Sequence, residues 1–180
     1  MLQKKSFKCN LSCERLLQDE LNVIEKRMHL ENHNEKGFIQ KIYNADKLLL
    51  ESININYDQI INKFEFIWNK YQEILHNEYE LIGMNSKNIL VNGKYLIESI
   101  LDTHVLTQQC GFQNKENDNN DYKYEIKNIT IINIENNMSF SFNALSMHMI
   151  ICHHFFGNPK SPHRLDPQRI IKVLEIKPKI

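Results

Sequence analysis

Histidines crowd into one short stretch near the end of the chain. The segment SMHMIICHHFFGNPKSPHRLDP, residues 146–167, holds four of the eight histidines together with one cysteine. Imidazole nitrogen and thiolate sulfur are ligands for zinc, and imidazole is also the commonest general acid or base in enzymes. The segment therefore suggests a metal site, a catalytic site, or the end of a core helix followed by a polar loop.

Helical geometry divides these histidines into two groups. If residues 144–156 form a helix, each residue turns by about 100°, and His148 lies in the middle of the apolar face with Cys152 and Phe155. His153 and His154 fall on the other side. We therefore expect His148 to face the interior and to stay neutral, because burial disfavours the imidazolium. We also expect that His148 and His153 do not share a metal ion.

The first group offers a metal-binding hypothesis. His148 and Cys152 stand four residues apart, a spacing that supplies two zinc ligands from one helix, and His104 in another apolar stripe is the candidate third ligand. The alternative is that both histidines are core residues, each satisfied by one hydrogen bond. The paired ligand spacings of common zinc sites are absent, so we predict no cofactor and keep the metal-binding module as an alternative.

The second group consists of donor and cationic side chains in the loop that follows. Such groups suit a phosphate, a carboxylate or an acidic partner, and the candidate binding residues are His153, His154, Lys160, His163 and Arg164. A pair of histidines near a basic residue is also what a metal-independent nuclease uses as base, acid and charge stabiliser. His153, His154 and His163 are therefore the catalytic candidates if the chain is an enzyme.

Three helices are predicted in residues 11–83, where apolar residues recur at steps of three and four. The third is the longest: Asp58 is its predicted cap, Gly83 its predicted end, and Trp68 on its stripe is expected to be mostly buried. The apolar stripes of the first two helices are Leu17–Leu21–Ile24–Met28 and Phe38–Ile42–Ala45–Leu49.

The second half of the chain mixes strands and helices. The Asn92-Gly93 pair predicts a hairpin, although a short helix ending at Gly93 also fits residues 89–96. Residues 97–105 return to helical spacing. Residues 122–134 read as a strand, and SFSF after a turn reads as its antiparallel partner. Asn143 is the predicted cap of helix 144–156, and Asp166-Pro167 starts another helix. The final VLEIKPKI fits either a helix or a strand.

These elements predict an α+β fold, with a helical N-terminal half packed on a small antiparallel β-sheet and C-terminal helices. We expect one domain over residues 1–180, with a helical subregion 11–83 and an α+β subregion 86–180. Basic and acidic residues balance at 22 each, which makes nucleic acid a less favoured partner. No apolar run approaches the roughly 20 residues that span a bilayer. Four cysteines and the lack of a secretory signal favour the cytoplasm.

Recognition is the function that these observations favour over catalysis. The sequence contains no nucleophile elbow, zinc-protease or phosphate-loop motif. We hypothesise a small soluble intracellular protein that binds another macromolecule, most simply another protein, as an inhibitor or immunity-type protein does. The alternatives are a histidine-dependent hydrolase or nuclease using the 153–164 loop, and the metal-binding module through His104, His148 and Cys152. The partner and the oligomeric state stay open.

Overall fold

The computed structural model describes residues 38–79, 86–100, 107–109, 123–125, 128–161 and 163–179. Over these residues, helices come before and after a four-stranded antiparallel sheet, so the predicted α+β class is confirmed. The first predicted helix, with its stripe Leu17–Leu21–Ile24–Met28, lies outside the described residues, as does His104.

Two helices form the first part of the described chain. Helix α1 spans Phe38–Ser52 and helix α2 spans Tyr57–Tyr79. The start of α2 is set one residue before the helix, where Asn56 Oδ1 accepts from the Gln59 N–H and Gln59 Oε1 accepts from the Asn56 N–H, both at 3.0 Å. This reciprocal pair is a capping box, so Asn56, rather than the predicted Asp58, caps the helix.

Helix α1 buries a different face from the one its apolar pattern predicts. The buried residues are Ile39, Ile42, Asp46 and Leu50, whereas Ala45 is exposed and Leu49 only partly buried. The predicted stripe through Ala45 and Leu49 is therefore wrong by about one residue. The reason is Asp46, whose carboxylate is buried against the guanidinium of Arg164 from another part of the chain.

The main sheet has four antiparallel strands in the order β1-β2-β5-β6. The strands span Ser86–Val91 (β1), Tyr95–Ile100 (β2), Ile129–Asn133 (β5) and Met138–Phe142 (β6). Two shorter strands, Thr107–Gln109 (β3) and Lys123–Glu125 (β4), pair with each other.

The open question at residues 89–96 is decided in favour of a hairpin. Asn92 and Gly93 both have positive φ (52° and 65°), and the Lys94 N–H donates to the Val91 carbonyl at 3.1 Å. The helical interpretation of residues 97–100 is wrong, because these residues belong to β2. That strand pairs with β1 on one side and with β5 on the other, so its backbone groups are satisfied in the sheet whatever the spacing of its apolar side chains.

Two helices follow the sheet as the capping residues predict. Helix α3 spans Ala144–His153 after Asn143, and helix α4 spans Pro167–Leu174 after Asp166. Helix α3 ends three residues earlier than the predicted Phe156. The first residues of VLEIKPKI complete α4, and the described remainder is neither helix nor strand.

The core lies on one face of the sheet. Odd-numbered residues of β2 and β5 point inward, together with Ile89 and Val91 of β1 and Phe140 and Phe142 of β6. Phe64 of α2 packs against Phe140 and Phe142, with ring centroids 5.8 and 4.8 Å apart. Residues of α3 and α4 belong to the same apolar cluster, and α1 adds a second cluster, centred on Ile39, Ile42 and Phe155.

Trp68 sits at the margin of this core. Its ring meets the ring of Phe142 edge to face at 5.9 Å, but the residue is only partly buried. The expectation of a mostly buried Trp68 therefore overstates its burial. Phe64, one turn earlier, occupies the buried position.

We predict that Phe64→Ala lowers the free energy of unfolding by about 3–5 kcal/mol, because it leaves a cavity under the sheet. Phe66→Ala is the matched control on the same helix: its side chain is exposed, and the expected change is within about 0.5 kcal/mol. Urea unfolding followed by circular dichroism measures both. Equal losses in the two variants would contradict the packing described for α2.

Candidate functional site

Local hydrogen bonds fix both ends of α3, the helix that carries His148 and His153. At its start, the Ser146 N–H donates to Asn143 Oδ1 at 2.8 Å and the Asn143 N–H donates to Ser146 Oγ at 2.9 Å. At its end, His154 adopts the left-handed conformation, and its N–H donates to the Ile150 carbonyl at 3.1 Å. A left-handed residue turns the chain sharply, so α3 presents its last histidines at a defined corner.

His148 and His153 form a buried pair. Their Nε2 atoms are 3.1 Å apart, the ring planes are 80° to each other, and the residues are 8% and 6% exposed. The expectation that His153 points away from His148 is wrong. A helical wheel gives the direction of each Cβ but not the reach of an imidazole, and the helix ends at His153, where the ring is able to fold back.

Burial dominates the electrostatics of the pair. Burial and, after it, the neighbouring His153 together lower the pKa of His148 to about 4. His148 is therefore neutral near pH 7, as the sequence predicts. When both rings are neutral, one facing Nε2 carries a proton and donates it to the lone pair of the other.

His154 leaves the pair and joins a group of aromatic rings. Its ring stacks on Tyr57 with centroids 4.5 Å apart and planes within 9°, and Tyr57 stacks in turn on Phe156 at 5.6 Å. Burial lowers the pKa of His154 as well. His154 therefore ties the end of α3 to the start of α2, and Tyr57 covers one face of its ring.

The guanidinium of Arg164 forms its contacts inside the protein. Its Nη2 and Nη1 atoms donate to the two carboxylate oxygens of Asp46 at 2.5 and 3.1 Å, and Nη1 also reaches the Gly157 carbonyl at 2.5 Å. Asp46 is buried, and such a carboxylate needs a paired cation. This two-pronged contact fastens the loop after α3 to α1, which explains why α1 turns Asp46 inward.

Lys160 and His163 are the exposed members of the predicted binding loop. His163 lines a cavity of about 200 Å³ together with Ser161, Gly157 and the first turn of α3 at Asn143 and Ser146. His153 closes the other end of that helix, which is roughly 15 Å long. The three catalytic candidates therefore lie in three settings: His153 in the buried pair, His154 in the ring stack and His163 at the cavity.

Among the described residues, the structure does not bring together the three metal ligands that the sequence predicts. His104 lies outside the described residues, and Cys152 is a buried thiol of α3. Within the described ranges, no group of three or more His, Cys, Asp or Glu side chains converges. The described imidazole that faces His148 is His153, which the sequence reasoning had separated from it.

The outer face of the main sheet carries a feature that the sequence reasoning missed. Leu90, Leu96 and Ile132 are directly opposite one another on β1, β2 and β5, and all three point away from the core. Leu90 is 48% exposed, and Ile134, in the turn directly after β5, is 49% exposed. The signal was present in the sequence, since ILV (residues 89–91), YLI (95–97) and II (131–132) place apolar residues at successive positions rather than at every second one.

Comparisons of the chain with protein-family models, with curated proteins and with solved structures found no match. Among the described helices, none combines the length and the apolar composition needed to cross a bilayer.

We predict that stability falls in acid because of His148. Its pKa in the folded protein, about 4, lies below the ordinary value of 6.5, so the folded state binds fewer protons than the unfolded state between these values. The stabilisation is complete above about pH 6.5 and is lost as the pH falls towards about 4, by an amount on the order of 3 kcal/mol. Urea unfolding at a series of pH values measures it.

His148→Gln removes the titrating group, and we expect it to flatten this pH dependence. His163→Gln, which changes an exposed histidine of the loop, serves as the matched control and should keep the slope of the parent. A His148→Gln variant whose stability still falls as steeply as the parent's between pH 6.5 and 4 would contradict the assignment.

We predict that Arg164→Ala costs about 3–5 kcal/mol of stability, because Asp46 is then a buried carboxylate with its cation removed. His163→Ala, at the exposed neighbour, should change stability by less than about 0.5 kcal/mol. Thermal or urea unfolding distinguishes them. The double variant Asp46→Ala, Arg164→Ala should lose less than the sum of the single changes, and simple additivity would show that the pair does not act as a unit.

Proposed function

We propose that this protein binds another protein, and that the outer face of the main sheet is the docking surface. The observation that carries the proposal is the apolar row Leu90–Leu96–Ile132, extended by Ile134. We call these four residues the outer row. An antiparallel sheet with one face in water normally places polar side chains outward, and exposed apolar patches with polar margins mark interaction sites.

Among the described residues, the margins of the outer row are polar and contain three carboxylates, of Glu98, Glu135 and Glu175, and two cations, of Lys94 and Arg169. On one side lies the next cross-strand line, with Glu98 and with Thr130 and Ser141, whose hydroxyls are 2.8 Å apart. At the hairpin end, Lys94 forms ion pairs with both Glu135 and Glu175, so its charge is already balanced.

This charge distribution indicates the chemistry of the partner. A surface with an apolar centre and basic side chains at its edge complements the outer row and its acidic margin. An inhibitor or immunity-type protein that covers a basic toxin or enzyme is a concrete role of this kind. Lys160 and His163 stay candidate contacts at a separate place, and His153, His154 and Arg164 have internal partners. We place the protein in the cytoplasm, on the basis of its low cysteine content.

Partner binding should depend on Leu90, the most exposed member of the cross-strand line. We predict that Leu90→Arg weakens binding at least about tenfold, because it places a cation where the partner presents apolar surface. Leu48→Arg is the matched control: Leu48 is 64% exposed on α1, and a charge there should leave binding unchanged.

The experiment uses the parent protein and both variants as immobilised baits in an extract of the source cells. Proteins held by the parent and by Leu48→Arg but lost with Leu90→Arg are then purified and titrated against all three. Circular dichroism confirms that the variants are folded. A partner that binds all three equally would show that docking occurs elsewhere, and an enzymatic activity lost in His163→Ala without a binding defect would favour the hydrolase alternative.

A further inference from the structure

In the buried pair His148–His153, one imidazole nitrogen of each ring faces the other ring. The Nε2 atoms are 3.1 Å apart at the C-terminal end of α3. A metal ion that binds two imidazoles at about 2.0–2.1 Å holds their nitrogens roughly 2.9 Å apart at a right angle and roughly 3.3 Å apart at a tetrahedral angle. The observed separation lies between these two values.

We propose that Nε2 of His148 and Nε2 of His153 together bind a divalent transition-metal ion of the zinc class. Imidazole is the nitrogen ligand that zinc, copper and nickel share. Among the described residues no third His, Cys, Asp or Glu side chain joins the pair, so the proposed site has two protein ligands. This site is independent of the docking surface on the sheet.

The proton balance of the site is favourable. In the metal-free pair, one ring carries its proton on Nε2 and donates it to the other ring. Metal binding needs a lone pair on both Nε2 atoms, so that ring changes to the tautomer protonated on Nδ1. For a pair of neutral rings, binding therefore needs only this change of tautomer and releases no net proton.

The surrounding fold holds the two rings in this arrangement before any ion arrives. Capping-box hydrogen bonds fix the start of α3, and the left-handed His154, stacked on Tyr57, fixes its end. Both rings are almost completely buried. Burial limits the number of side-chain conformations that the two histidines adopt before the ion binds. A preformed pair loses less conformational entropy on binding than two surface histidines do.

The test measures Zn²⁺ binding to the full chain at pH 7.5 after treatment with a chelator. We expect the parent to hold one more equivalent of Zn²⁺ than His148→Gln or His153→Gln, with a loss of at least about tenfold in affinity for that equivalent. His163→Gln is the matched control on an exposed histidine and should bind as the parent does. Counting the difference between variants removes any contribution from the chain's other histidines.

A second measurement guards against a variant that fails to fold. Long-range ¹H–¹⁵N spectra of the labelled parent protein report each imidazole nitrogen, and one equivalent of Zn²⁺ should shift the Nε2 resonances of His148 and His153 together. The proposal is overturned if those two resonances stay unshifted, or if folded His148→Gln and His153→Gln variants bind as much Zn²⁺ as the parent. The pair is then an ordinary hydrogen bond between two neutral imidazoles.

Discussion

The main sheet packs its inner face against the helices. The rest of the described structure depends on this burial of one face. Because strand side chains alternate, a strand that points Ile97 or Ile131 into the core must point Leu96 or Ile132 the other way. Helices α2, α3 and α4 all contribute to the cluster on the inner side, and α1 packs on α3 from outside. The buried histidines thus lie on the helical side of the sheet, and the outer row lies on the opposite face.

Polar groups inside this arrangement are held by specific partners. Asn133, fully buried on β5, donates to the Val173 carbonyl at 2.8 Å, and the Tyr95 hydroxyl donates to the Leu174 carbonyl at 3.2 Å. Both contacts fasten the sheet to the end of α4. In a similar way, Arg164 fastens the loop after α3 to α1 through its contact with Asp46. Unpaired buried polar groups are costly, so these contacts select one arrangement of the helices as well as stabilising it.

The same need for partners explains why the histidine-rich segment differs from a surface binding loop. Its count of donors and cations suggests one charged surface, but His148 and His153 satisfy each other, His154 stacks on Tyr57, and Arg164 neutralises Asp46. Residue types alone do not reveal how many of these groups are used internally. The exposed apolar row that we propose as a docking surface lies elsewhere, on the outer face of the sheet.

The sequence by itself determined the features that depend on neighbours within a few residues. Positive φ at Asn92 and Gly93 formed the hairpin, Asn143 and Asp166 began their helices, and the α+β order followed from the spacing of apolar residues. Tertiary structure alone decided the features that join distant segments. It assigned residues 97–100 to a central strand and brought Arg164 to Asp46 across 118 positions. Local hydrogen bonds form wherever the right residues are adjacent, whereas burial and the pairing of charges depend on which surfaces the completed fold places together.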